Sequence, residues 1–286
     1  MSAIHFQTTY DISRQYDFIK SRALEILGDF YTDSSIYFFN DEKKTLTFTS
    51  ERLIPPVASD RMRILLLFSN PHPHLIQKGM FLSPSVKGRQ SFFWKGMKDA
   101  GWFSLQEERP APRRLAEIFL NLEYESPFEL LFYCYFAFPT LYPDDIVKLS
   151  GRDYFKEVIE PEAREGFLKI MQQESPSSVV TFNKGVFNLV SAEPVGKYIA
   201  WLKAGEVIQS QVRDAEKEVP IYLTYPTGWR YDPEHREYHR MSLERIKERI
   251  EKGVDVLRWW VKHWMIHNHS GCNPSYPMLR PYGFRI

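Results

Sequence analysis

Cysteine is nearly absent: Cys134 and Cys272 are the only two in 286 residues. One sits inside an apolar run and the other near the C-terminus, which argues against a disulfide framework. Two thiols are also too few for the four that hold an iron–sulfur cluster. Long hydrophobic runs are missing as well; no stretch approaches the roughly 20 apolar residues that cross a bilayer. The opening MSAIHFQTTYDISRQYDF lacks a cationic start followed by an apolar segment, so no secretory signal is read and a cytoplasmic location is expected. Net charge is lacking too, at +1, with 37 Lys and Arg against 36 Asp and Glu. The molecule as a whole is therefore no sponge for polyanions, and any nucleic-acid binding must come from a local patch. There is no internal repeat and no low-complexity tract.

What the chain does have is apolar mass, 43% hydrophobic and 15% aromatic residues, enough for one large domain with an extension. Ile12, Ile19, Ala23 and Ile26 or Leu27 fall near helical spacing over 12–29. SIYFF (35–39) and TLTFTS (45–50) flank the polar NDEKK and predict a β-hairpin. We read 1–60 as an extension, 61–264 as the main α/β domain and 265–286 as a tail.

From residue 63 onward, short apolar strands alternate with helical segments. RILLLF (63–68) precedes a helix near 91–100, and ELLFYCYFAF (129–138) precedes one at 161–173. SSVVTF (177–182) precedes a short helix at 185–191, and VPIYLTY (219–225) a long one at 242–264. This rhythm predicts a mainly parallel sheet covered by helices. In the last helix Leu243, Ile246, Ile250, Val254, Leu257, Val261 and Trp264 form one apolar stripe, the pattern of a core face.

Ligands of open parallel sheets bind at the carboxyl ends of strands. Two strand ends here carry unusual punctuation: Ser69-Asn70-Pro71-His72-Pro73-His74 after the first, and Tyr225-Pro226-Thr227-Gly228-Trp229-Arg230 after the last. Proline stops each strand because it cannot donate to the ladder. Each stop is flanked by side chains suited to hydrogen bonding and stacking.

These loops, with the segments between them, resemble the uracil-DNA glycosylase superfamily, closest to its mismatch-specific uracil/thymine branch. The family's Gly-x-Asn-Pro-Gly loop is matched by Phe68-Ser69-Asn70-Pro71-His72, and its Gly-Asn-Arg-Phe-Trp-Lys…Ala-Gly-Phe segment by GRQSFFWKGMKDAGWF (88–103). YFAFPT (135–140), PSSVVTFNKGVF (176–187) and Tyr225-Pro226-Thr227-Gly228-Trp229 follow in the family's order. The likeness spans roughly 61–255. It departs at Phe68 and His72, which replace glycines, and at Tyr225, which replaces the second-loop Asn.

The resemblance implies a three-layer α/β/α fold and a DNA glycosylase that flips a base from a duplex and hydrolyses its N-glycosidic bond, without a cofactor or metal. It implies that Asn70 positions the attacking water, with Tyr225 as a second catalytic candidate. Ser69, Pro71, His72, Phe81 and Tyr135 are the implied base pocket. Pro226, Thr227, Gly228, Trp229 and Arg230 are the implied DNA wedge, with Lys87 and Arg89 on the backbone. The expected partner is DNA, and no membrane is expected.

Two other readings stand beside this one. The first is a catalytically inactive superfamily member that binds nucleic acid; the second is an α/β enzyme acting on a nucleotide or another small molecule, with His72 and Tyr225 as anchors. The run from Lys78 to Arg114 holds eight Lys and Arg against Asp99, Glu107 and Glu108, which fits either phosphate contact or a mixed solvated face. HREYH (235–239) and HWMIHNHSGC (263–272) cluster imidazoles, but the spacing matches no closed zinc pattern.

Overall fold

The structure, a computed structural model, describes residues 4–82, 85–86, 89–226 and 233–268, and describes side chains for 4–82, 91–226 and 233–253. The chain divides into two compact units, Met1–Ile246 and Lys247–Ile286.

The first unit opens with strand β1 (His5–Asp11), helix α1 (Tyr16–Leu27) and the hairpin β2 (Tyr37–Asn40) and β3 (Thr45–Leu53). Then come β4 (Met62–Phe68), α2 (Pro73–Lys78), the small hairpin β5 (Ser85–Val86) and β6 (Arg89–Gln90), α3 (Phe92–Asp99) and α4 (Pro112–Leu120). β7 (Phe128–Cys134) leads into α5 (Asp144–Ser150), α6 (Arg152–Tyr154) and α7 (Glu160–Glu174). Last are β8 (Ser178–Thr181), α8 (Lys184–Val190), α9 (Ile199–Ala204), β9 (Ile208–Gln211), β10 (Pro220–Leu223) and α10 (Pro233–Asn268). The second unit contains the continuation of α10 from Lys247, where Lys247–Glu251 pair at 2.7 Å and Lys252–Glu248 at 3.6 Å along the helix. Val254, Leu257, Val261 and Trp264 of the predicted stripe lie beyond the described side chains.

The fold is mixed α/β, with a mostly parallel central sheet flanked by helices. β4 hydrogen-bonds to β7 on one side and β8 on the other, and β10 adds beyond β8, all parallel. Ile64 to Leu67 are 0% exposed, as a strand covered on both faces requires. β9 closes one edge antiparallel to β10. The N-terminal segment completes the other edge, because β3 pairs antiparallel with β7 through Arg52↔Tyr133 and Leu53↔Phe132, and with β1 beyond it. Residues 4–60 are thus joined to the sheet by backbone hydrogen bonds. β1 itself, HFQTTYD, carries too little apolar character to read as a strand, and its partner β3 supplies the reason that it forms.

Taken in chain order, the four parallel strands lie second, first, third, fourth. The chain leaves the first strand to one side and returns to the other, so the crevice between the ends of β4 and β8 is a topological switch point. At the opposite end of the sheet the Glu129 carboxylate is 0% exposed, yet it is fully engaged. It accepts from Ser59 N at 2.6 Å, Ser59 Oγ at 2.7 Å and Arg63 Nε at 2.8 Å, while Arg63 also pairs with Glu174 at 2.9 Å. A buried charge persists only when paired in this way.

Helix ends follow local chemistry. Pro73 occupies the first turn of α2, where its missing N–H costs nothing, and Gly79 at φ +78° ends it in a left-handed cap. A π-turn at Phe155–Ile159 sits just before Pro161, whose ring cannot accept a normal helical turn behind it.

Candidate active site

β4 ends at Phe68, but its pairing continues into the loops. The carbonyls of Phe68 and Ser69 accept from the Tyr135 and Phe136 amides, both at 2.8 Å, and the Pro71 carbonyl accepts from Thr140 N at 3.1 Å. The SNP loop is therefore zipped to residues 135–140. Asn70 locks the zipper: its Nδ2 donates to Thr140 O at 3.0 Å, Thr140 Oγ1 at 2.9 Å and its own neighbour's carbonyl, Pro71 O, at 3.1 Å. Thr140 is 0% exposed and gives its hydroxyl proton to Tyr142 O at 2.8 Å, so its oxygen can only accept from Asn70. The Asn70 NH2 is held in place, and Oδ1 makes no hydrogen bond among the described residues. The result is a half-buried amide at the switch point, with an oriented acceptor oxygen suited to hold water.

His72 caps α2, its Nδ1 accepting from His74 N at 3.2 Å, which puts the proton of the neutral ring on Nε2. Its ring meets Phe30 edge-on at 6.5 Å. Pro71 is buried and Ser69 half-buried in the same loop.

The aromatic pocket candidates sit deeper. Phe81 is 1% exposed between Phe68 at 5.4 Å and Phe132 at 5.7 Å. Tyr135 is 2% exposed against Phe136 and Phe167, and burial pushes its phenol up to about 12. Phe68 in turn stacks on Phe182 at 5.1 Å and 9°, so an aromatic slab underlies the carboxyl ends of β4 and β8.

Tyr225 follows β10, the strand beyond β8. It is 1% exposed beneath the start of α10, with its ring against His235 at 5.6 Å and Tyr238 at 5.5 Å. Its amide donates to Ser242 Oγ at 3.1 Å, and its carbonyl accepts from His239 Nδ1 at 2.8 Å. Pro226 follows, half-buried. Thr227, Gly228, Trp229, Arg230 and Lys87 lie outside the described residues, and Arg89 is placed in β6 without a described side chain.

Two residues at this end of the sheet went unassigned in the sequence. Thr140 was visible only as the last letter of YFAFPT, and nothing local tied it to Asn70. His239 was legible as half of HREYH, but its surroundings were not. It is 0% exposed against Phe92 at 5.1 Å and Phe182 at 6.3 Å, and burial pushes its imidazole down to about 4. Since Nδ1 carries the proton given to Tyr225 O, Nε2 is an unprotonated nitrogen, buried without a partner among the described residues.

The basic run partly neutralises itself. Lys95 pairs with Asp99, and Arg114 pairs with Glu123 at 2.7 Å and lies near Glu107 and Glu117. Among the described residues no three His, Cys, Asp or Glu side chains converge as metal ligands would. No helix among them is long and apolar enough to cross a membrane. Compared with known proteins, the chain matches no protein-family model, and no curated protein matches it.

Proposed function

We propose that the protein is a divergent DNA glycosylase of the uracil-DNA glycosylase type, hydrolysing the N-glycosidic bond of a flipped uracil or mismatched base. One observation carries this reading: Asn70 lies at the switch point with its NH2 tied down on Thr140 and its Oδ1 left to accept from water. An amide orients water without being a strong base, which suits a reaction whose leaving base departs as a stabilised anion. The sheet then forms the middle of a three-layer α/β/α sandwich. In support, Phe132 meets Trp94 and Phe119 of α3 and α4, whereas Tyr133, pointing the other way along the strand, lies beside Gly166 of α7.

Uracil- and mismatch-containing duplexes are expected to release free base, and Asn70→Ala to slow release by about 100-fold. Absence of release from a panel of damaged duplexes would sink the enzymatic claim.

A second reading is favoured by the burial of Phe81, Tyr135 and Tyr225, each at most 2% exposed. Base-stacking and base-reading groups so enclosed fit a family member that binds nucleic acid without cutting it. Salt-dependent binding to duplex DNA without base release selects that reading.

A further inference from the structure

On the antiparallel wing of the sheet, one stretch of surface that the rest of the sheet fills with aromatics is polar instead. β1 and β3 pair His5 with Glu51 and Gln7 with Thr49, and these four side chains share one face. A groove of about 760 Å³ opens over His5, Gln7 and Thr49, walled by the last turn of α2 and by α4. It lies at the opposite end of α2 from the Asn70 loop.

Three features mark the groove as built to hold something. The Arg113 guanidinium lines it and forms no ion pair among the described residues, although its neighbour Arg114 is surrounded by carboxylates. Its stem lies across Gly79, where an added Cβ would come within 3.2 Å of Arg113 Cγ, so the glycine that caps α2 also seats the arginine. Two buried polar atoms, His5 Nε2 and Glu51 Oε2, have no hydrogen-bond partner among the described residues, and they belong to register partners. Orphaned buried polar atoms are rare, and His5, which carries one of them, lines the groove beside Arg113. Burial and the nearby Arg113 charge both hold His5 below its ordinary value, so the imidazole is neutral and Arg113 is the cation of the pair.

The walls are apolar: Ile76, Ala116 and Leu120 line the same groove. Glu117 also lines the groove and lies 3.7 Å from Arg114. A cation beside neutral donors, facing an aliphatic wall, selects an amphipathic anion. A tetrahedral head suits this better than a planar carboxylate, because three oxygens can meet the guanidinium, the imidazole and the Gln7 amide from different directions. We propose that this groove binds a small organic phosphate monoester, with its head on Arg113 and its body against Ile76, Ala116 and Leu120. This site is separate from the proposed glycosylase site and does not depend on that reading.

The test is calorimetric titration of the full chain with phenyl phosphate, phenol and inorganic phosphate at matched ionic strength. Phenyl phosphate is expected to bind one-to-one, at least about tenfold tighter than either fragment, and Arg113→Gln to weaken it at least about tenfold. The Arg113 Nε–H resonance of the unaltered protein should shift along the same titration, which decides the matter if Arg113→Gln does not fold. Asn70→Ala should leave the affinity unchanged. The proposal is overturned if phenyl phosphate does not saturate, if phenol or inorganic phosphate binds as tightly, or if the Arg113 resonance stays still. It also fails if Asn70→Ala abolishes binding, which would place the ligand at the carboxyl ends of β4 and β8.

Discussion

At the scale of single residues, the contact that organises the candidate site joins positions 70 apart in sequence. Asn70 before a proline reads locally as a turn former. Only the proximity of Thr140, brought in by the parallel pairing of β4 and β7, turns its amide into a clamp. Thr140→Val keeps the shape but removes the hydroxyl that accepts from the Asn70 NH2 and donates to Tyr142 O, and losing those two hydrogen bonds costs about 1–3 kcal/mol. Urea denaturation should show that loss, and Thr140→Ser should recover most of it. If base release is observed, Thr140→Val should lower kcat with little change in KM, because it frees the amide to turn; an equal fall with Thr140→Ser would argue against the clamp.

At the scale of elements, the seam between α3 and the start of α10 is closely packed. Trp102 Nε1, just past α3, donates to Leu243 O at 3.1 Å. A Cβ on Gly96 would come within 3.0 Å of His239 Cδ2. His239 cannot retreat, being enclosed and anchored on Tyr225 O at 2.8 Å. Gly96→Ala should therefore destabilise by about 1–3 kcal/mol, although alanine favours a helix by about 1 kcal/mol. The cost should shrink in Gly96→Ala/His239→Ala, measured as a double-mutant cycle by thermal unfolding. Sequence periodicity found α3 and most of α10, yet could not show that a helical glycine exists to admit an imidazole from 143 positions away.

At the scale of the whole molecule, two buried titratable groups set opposing pH slopes. Burial pushes the Glu51 carboxyl from 4.5 up to about 8, so between those values the folded chain keeps a proton that the unfolded chain releases. Stability therefore falls as pH rises through that window. His239 runs the other way: its imidazole is pushed from 6.5 down to about 4, so stability is lost as pH falls through that range, and His5 acts in the same sense. The slopes oppose each other below 6.5, and of these three groups Glu51 alone acts above it. Unfolding free energy should drop by about 2 kcal/mol between pH 6.5 and 8, at about 1.4 kcal/mol for each pH step. Glu51→Gln should flatten that drop in chemical denaturation across the range; a drop that persists would assign it to other groups.

What the sequence determined by itself is whatever depends on neighbours in the chain. Five apolar residues from Ile64 to Phe68 demand a strand buried on both faces, two prolines must end it, and the alternation of strands with helices leads to a mostly parallel sheet. Tertiary structure alone decided which distant groups meet. It joined β3 to β7 and so built the N-terminal segment into the sheet, locked Asn70 on Thr140, drew Phe81 and Tyr135 into the core, and gathered Arg113 and His5 around one groove. The physical reason is range: propensity and periodicity act over a few residues, whereas hydrogen bonds and burial depend on which strands the crossovers bring side by side.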